Sequence, residues 1–235
     1  MKLGLLGLIV VVTTLLSCEA PVVGYPWHTG VTATVFWVGE PQGGGSSEDN
    51  ALSAWDDRWL EHYGGVDDPG RRKEVDGYFP AGFTPRENPF YADLPYDDFD
   101  ARGRPRADRE TVVPWAGRYQ SALAEHAARH VPFSLLKNRW LQLRHDDRVC
   151  YAQWEDSGPY VYDDAGYVFG ADDRRPRNTR ANAAGLDVSP AVRDCLGFPG
   201  LNDAESRVDW RFVDDEDVPD GPWKRVVTPR QVFWP

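Results

Sequence analysis

The segment that most constrains the fold is a pair of strand patterns that runs directly into two carboxylates. Residues 135–143 and 149–154 are rich in apolar side chains, and the polar turn at residues 145–148 separates them. This arrangement predicts a β-hairpin. Its second strand continues into Glu155 and Asp156, and a Gly-Pro pair then marks a turn. The hairpin is therefore predicted to deliver two carboxylates at the end of a strand.

A second segment places a carboxylate beside the start of a helix. Asp187 and Ser189 precede Pro190, and Gly197 follows the last apolar residue of a short helical pattern. In one interpretation, Asp187 or Ser189 only caps this helix. In the other, Asp187 shares a cleft with the hairpin carboxylates, a combination suited to acid–base chemistry on sugars.

The remaining patterns predict mainly strands, with a few short helices and long loops. Strand candidates lie at residues 31–38, within 88–98, and at 167–169, 208–213 and 226–234. Apolar spacing predicts a helix at residues 51–63, and the alanine-rich composition of residues 121–130 predicts another. Since neither an internal repeat nor a second apolar core is apparent, we predict one mainly β domain over residues 31–235.

The N-terminus has the features of an export signal. Lys2 precedes an apolar stretch at residues 3–16, which is shorter than the roughly 20 residues of a membrane span. The segment Leu15-Leu16-Ser17-Cys18 resembles the lipobox of bacterial lipoproteins. That resemblance implies cleavage after residue 17 and acylation of Cys18 by diacylglycerol and palmitate, with residues 18–30 as a tether. An ordinary secretory signal with an incidental cysteine is the alternative.

The charge and the residue after the cysteine bear on location and partners. By resemblance to Gram-negative sorting rules, Glu19 implies an outer-membrane lipoprotein facing the periplasm. The net charge of −11 disfavours nucleic acid as a partner but is compatible with neutral glycans. The alternative interpretation is that the acidic charge only keeps an exported protein soluble. The expected membrane contact is therefore the N-terminal lipid anchor.

Cysteine and histidine spacing indicates no metal or cofactor. Cys150 and Cys195 are not in a metal or redox spacing, and they are either a disulfide or two separate thiols. His126 and His130 lie four residues apart on a predicted helix, but no further ligands accompany them. We predict neither a metal site nor a cofactor.

The order of these segments resembles the double-psi β-barrel domains of the rare lipoprotein A, expansin and glycoside hydrolase family 45 group. The resemblance covers residues 135–213. The matching residues are Asp156, Gly158 and Pro159, then Asp187, Val188 and Ser189, and then Leu196 and Gly197. It implies a mainly β fold with minor α, namely a six-stranded double-psi β-barrel-like domain with helical and loop insertions.

The resemblance also implies roles for individual carboxylates. Asp187 matches the catalytic acid of family 45 cellulases and of membrane-bound lytic transglycosylase A-like enzymes. Asp156 matches a catalytic candidate of rare lipoprotein A-like transglycosylases, and Glu155 is its neighbour. An upstream histidine-containing segment of those enzymes corresponds here to residues 92–98, which have no histidine.

Three aspartates in that upstream segment are candidates to replace the histidine. They are Asp93, Asp97 and Asp98, and we include Asp97 among the candidate catalytic residues. Four aromatic residues are candidate sugar-stacking surfaces, with core packing as the alternative for each: Trp154, Tyr160, Tyr96 and Trp210.

Together these features predict an exported lipoprotein that acts on or binds cell-wall or other polysaccharide. As an enzyme it would resemble a lytic transglycosylase or a glycoside hydrolase. The alternatives are a non-catalytic, expansin-like glycan-binding module and an interaction lipoprotein whose barrel is only a scaffold.

Overall fold

The computed structural model describes residues 24–43, 49–75, 77–201 and 206–234. The predicted signal peptide, Cys18 and the predicted tether as far as residue 23 lie outside the described residues. The remainder of the predicted tether, residues 24–30, is described, and the first strand begins within it at His28. In the part of the chain that is described, no helix is both long and apolar enough to cross a bilayer.

Six strands form a closed barrel. They are β1 (His28–Val35), β2 (Tyr91–Leu94), β3 (Arg139–His145), β4 (Arg148–Ser157), β5 (Leu186–Val188) and β6 (Arg207–Val213). Around the barrel the order is β1-β5-β2-β4-β3-β6. The β1/β5 and β2/β4 pairs are parallel and the other pairs are antiparallel. The predicted mainly β fold with six strands is confirmed, and this mixed barrel is compatible with a double-psi barrel.

Short helices connect the strands. They are α1 (Trp59–Tyr63), α2 (Arg109–Val112), α3 (Gln120–Arg129), α4 (Ala165–Val168) and α5 (Pro190–Leu196). Single 3-10 turns lie at Ala116–Tyr119, Ala181–Ala183, Asp215–Asp217 and Pro222–Lys224. Helix α5 has the predicted ends, because the Ser189 hydroxyl accepts a hydrogen bond from the backbone N–H of Val192, and Gly197 adopts the left-handed conformation with φ 73°.

Alternation along the strands separates the barrel interior from its outer surface. In β1, Val31 and Ala33 belong to the main apolar core, whereas Thr34 points to the other side of the strand. In β2, Ala92 and Leu94 are in the same core on either side of Asp93. Fully burying a large apolar side chain contributes about 1.5–3 kcal/mol, so the core specifies which residues face outwards.

Three predicted elements differ from the structure because long-range contacts override local patterns. Of the helix predicted at residues 51–63, only α1 forms, because the preceding backbone bonds to distant segments, as in the hydrogen bond from the N–H of Phe233 to the carbonyl of Trp55. Residues 167–169 overlap helix α4 and form no strand. Residues 226–234 pair only through one bridge between Phe233 and Asp56. Strand β5 was not predicted.

Candidate functional site

Three aspartates lie side by side on neighbouring strands of the barrel. Asp93 of β2 is the register partner of Asp187 on β5 and of Asp156 on β4. Paired residues on adjacent strands project to the same side of a sheet. Because Ala92 and Leu94 point into the core, Asp93 faces outwards. We call Asp93, Asp156 and Asp187 the carboxylate row.

Direct hydrogen bonds hold the β5 end of the row. Oδ1 of Asp93 accepts a hydrogen bond from the backbone N–H of Asp187, at 2.7 Å. Thr34, the register partner of Asp187 on β1, donates its hydroxyl hydrogen to Oδ1 of Asp187. Asp93 is buried, whereas Asp187 is half-buried and so is the more accessible of the two. Through the hydroxyl of Thr34, the carboxylate row also contacts a fourth strand, β1.

The turn after β4 approaches the row closely. A Cβ atom added at Gly158 would lie only 2.7 Å from Oδ2 of Asp93, a separation that side chains do not tolerate. The peptide bond between Gly158 and Pro159 is cis. The Gly-Pro turn identified in the sequence thus has a structural function, since the glycine leaves room for the Asp93 carboxylate.

A β-bulge decides which carboxylate of the hairpin joins the row. Ala92 pairs with Trp154, but the next residue, Asp93, pairs with Asp156, so Glu155 is skipped. Bulges of this kind redirect side chains at functional positions. As a result Trp154 remains in the core, Asp156 enters the row, and Glu155 is directed elsewhere.

Asp156 also borders an open cleft of about 650 Å³. Its lining includes four aspartates, two arginines and three aromatic side chains: Asp97, Asp100, Asp156, Asp163, Arg106, Arg177, Phe99, Tyr160 and Tyr162. Tyr160 is half-buried and Tyr162 is 37% exposed, so both present accessible surface beside the acids. The cleft thus combines acidic groups with apolar ring surfaces, a combination common in sites that bind small molecules.

Asp97 is the cleft group best suited to hold a proton at neutral pH. Burial raises its pKa to about 7, against the opposing effect of a hydrogen bond from the backbone N–H of Phe99, and the charge of Asp98 raises the pKa further. Its Oδ1 also accepts a hydrogen bond from Nε1 of Trp55 at 3.2 Å. A carboxyl group of this kind can donate a proton to a leaving oxygen near pH 7.

Consecutive residues of one loop contact two of the cleft acids, Asp156 and Asp97. The backbone N–H of Ala54 donates to Oδ1 of Asp156 at 2.7 Å, and Nε1 of Trp55 donates to Asp97. Neither residue was expected in the site, and no local pattern marks them, because both bonds reach distant segments. Thr34 was also missed. Its one signal is the alternation of threonine with apolar residues along residues 31–35.

Two of the predicted acidic residues lie outside both the cleft and the carboxylate row. Glu155 is buried and forms an ion pair with Lys137, with 2.6 Å between Oε2 and Nζ. Asp98 is fully buried and accepts hydrogen bonds from Ser134 and from the backbone N–H of Leu135. Both carboxylates are therefore placed for structural roles.

Three of the four predicted stacking residues are core residues. Trp154, Tyr96 and Trp210 are each 0% exposed, so no ring face is accessible to a ligand. Their polar atoms are satisfied internally, as in the bond from Nε1 of Trp210 to the hydroxyl of Tyr167 at 2.9 Å. These three rings therefore pack in the core, which was the alternative interpretation. Of the four predicted stacking residues, Tyr160 lines the cleft.

Among residues that the structure describes, no group of three or more His, Cys, Asp or Glu side chains is arranged to hold a metal ion. Comparison with known protein families gave no match, and comparison with curated proteins gave none either. The geometry of the carboxylate row and of the cleft is consequently the basis for the functional argument.

Proposed function

We propose that this protein acts on or binds a polysaccharide, with cell-wall glycan as the first candidate. The observation that carries the proposal is the carboxylate row on three neighbouring strands, next to a cleft that Asp156 and Asp97 share. Neutral sugar rings would contact the tyrosine side chains, and the acids would surround a glycosidic oxygen.

As an enzyme, the protein would cleave glycosidic bonds by acid–base catalysis. One carboxyl group protonates the leaving oxygen. A carboxylate then activates water in a hydrolase, or the hydroxyl of the substrate itself attacks in a lytic transglycosylase. Asp97 has the raised pKa that an acid needs, and Asp187 is the acid that the family resemblance implies. Asp156, in contact with the cleft, would accept a proton as the base.

Single substitutions test this mechanism. We would incubate purified protein with peptidoglycan and with β-glucan and identify soluble products by mass spectrometry. Asp156→Asn, and either Asp97→Asn or Asp187→Asn, should reduce product release by about 10²-fold or more, the scale of general acid–base catalysis. Asp146→Asn is the matched control, since that side chain is 86% exposed in a hairpin turn. No product from the wild-type protein with any glycan would refute the enzymatic form.

A non-catalytic glycan-binding module is the second candidate. It is favoured by Tyr160 and Tyr162, whose accessible side chains line the cleft beside the acids. Binding of glycan without product release, weakened by substitution of either tyrosine, would support this form. If neither binding nor turnover occurs, the interaction-scaffold alternative remains.

We further propose that the chain is exported and anchored through an acylated Cys18, in the outer membrane if the cell is Gram-negative. The support is the N-terminal sequence alone. Incorporation of labelled palmitate into the wild-type protein, and its absence from Cys18→Ser, is the expected result. A wild-type protein that carries no label and is released from membranes would refute the anchor without affecting the glycan proposal.

A further inference from the structure

Two cysteines that are distant in sequence meet where α5 packs against β4. Cys150 is fully buried in β4, and Cys195 lies in the last turn of α5 against the same core. Sγ of Cys195 is 3.7 Å from the carbonyl oxygen of Val149, the residue before Cys150. Because Val149 and Cys150 are neighbours in β4, the side chain of Cys195 lies against the strand segment that carries Cys150. Both sulfur atoms are unlinked in the structure.

The side chain of Tyr78 lies near both thiols. Tyr78 is close enough to both that the charge of either thiolate would raise the pKa of its phenol, an effect that adds to burial. Arg148 extends over the end of α5, because a Cβ atom at Gly197 would lie 2.2 Å from its Nη1. A disulfide requires two Cβ atoms that approach each other, and the packing of Cys195 against the strand segment of Cys150 brings the two side chains to the same part of the core.

We propose that Cys150 and Cys195 form an intramolecular disulfide that joins β4 to α5. The co-reactant is a low-molecular-weight disulfide such as oxidised glutathione. The thiolate of the more accessible Cys195 attacks it and releases one thiol, which leaves a mixed disulfide on Cys195. The thiolate of Cys150 then attacks the Cys195 sulfur and releases the second thiol. Both protons pass to solvent or to the departing thiolates, and the two cysteines are oxidised as glutathione is reduced.

The crosslink would connect the two elements that position the site. Strand β4 carries Asp156, and α5 begins three residues after Asp187. A disulfide in this place would restrict separation of these elements in the unfolded chain and would hold them together in the folded protein. The inference does not depend on the proposed function, because it concerns covalent structure only.

The test uses the full chain with Cys18→Ala, which leaves Cys150 and Cys195 as the remaining thiols. The protein is exposed to oxidised glutathione both when folded and during refolding from urea, because burial raises the pKa of Cys150 and slows its reaction in the folded state. After acid quenching and denaturation, free thiols are titrated and linked peptides are identified by mass spectrometry.

The expected result is loss of both thiols, one peptide pair that links Cys150 to Cys195, and a Tm about 5–15 °C above that of the reduced protein. Cys150→Ser and Cys195→Ser should each form at most a mixed disulfide with glutathione. Free thiols, a persistent mixed disulfide or a disulfide-linked dimer as the product of both oxidation procedures would overturn the proposal.

Discussion

Asp93 accepts a hydrogen bond through Oδ1 from the backbone N–H of Asp187, with 2.7 Å between the two atoms. The acceptor belongs to β2 and the donor to β5, so one side chain fixes the spacing of two strands where the carboxylate row lies. The same carboxylate lies beside Gly158 in the turn after β4. Asp93 is therefore the central contact of the row.

Replacing Asp93 should destabilise the barrel. Asp93→Ala removes the acceptor for the partly buried N–H of Asp187, and a hydrogen bond to a charged group contributes about 1.5–3 kcal/mol. Asp93→Asn keeps a carbonyl oxygen and should lose less than half as much. The free energy of unfolding, measured with urea for the three proteins, checks the order. Equal stability of Asp93→Ala and the wild type would contradict this account of the contact.

Thr34 should control the ionisation of Asp187. Its hydroxyl donates to Asp187, and a hydrogen bond to the charged form of a carboxylate lowers the pKa of that group. Thr34→Val preserves the side-chain shape but removes the donor, so the pKa of Asp187 should rise. Thr34→Ser retains the hydroxyl and is the matched control. NMR titration of the Asp187 carboxyl carbon measures the pKa in each protein, and an identical value in Thr34→Val would exclude the effect.

Tyr162 should contribute to glycan binding through its exposed ring. Tyr162→Ala removes a ring at the cleft and is expected to weaken the binding constant by about 2–10-fold, the effect of losing roughly 0.5–1.5 kcal/mol of aromatic contact. Tyr119 is the matched control, because it is 36% exposed compared with 37% for Tyr162 but does not line the cleft. Calorimetric titration with soluble glycan fragments makes the comparison. Equal losses of glycan affinity after substitution of Tyr162 and of Tyr119 would show that the Tyr162 ring makes no specific contact with glycan.

Asp97 should titrate near neutral pH and make stability depend on pH. Burial raises its pKa from 3.8 to about 7, so between these values the folded protein binds a proton that the unfolded chain releases. Its contribution to stability is therefore full below about pH 4 and falls as the pH rises to 7. The Asn side chain of Asp97→Asn cannot ionise, so the free energy of unfolding of this variant should depend less on pH between pH 4 and 7. Unfolding by urea between pH 4 and 7.5 tests the slope, and an unchanged slope would contradict the raised pKa.

The parts of the fold that could be predicted from sequence are those set by local rules. The hairpin follows from two apolar runs around a polar turn, and α5 follows from Ser189, Pro190 and Gly197. Strand β5 could not be predicted, because a three-residue strand is stabilised by β1 and β2 on its two sides and has no pattern of its own.

The site was predictable as a set of carboxylates but not as an arrangement. The order of the segments identified Asp156, Asp187 and the aspartates of residues 92–98. The bulge places Asp156, and not Glu155, beside Asp93. It depends on the pairing of β4 with β2, which the sequence pattern of β4 alone does not reveal. The contacts of Ala54 and Trp55 likewise arise from a loop about 100 residues before Asp156.

The buried pair of Lys137 and Glu155 should be a point of pH-dependent instability. Burial raises the pKa of Glu155 from 4.5 to about 7, even though the Lys137 ammonium opposes the rise, and the charges of Glu87 and Asp56 add to it. The side chains of the pair are 0% and 2% exposed. Removing one partner of such a pair leaves an uncompensated charge and costs about 3–5 kcal/mol.

Lys137→Met should therefore lose about 3–5 kcal/mol of unfolding free energy at pH 8, where Glu155 is either charged without its partner or holds a proton that the unfolded chain releases. At pH 5 the loss should be smaller, because Glu155 holds a proton below its raised pKa. The double variant with Glu155→Gln removes both charges and should recover most of the loss at pH 8. Urea unfolding of the three proteins at both pH values measures these differences. An equal loss at pH 5 and pH 8 would show that packing of the lysine stem, and not the charge of Glu155, causes the instability.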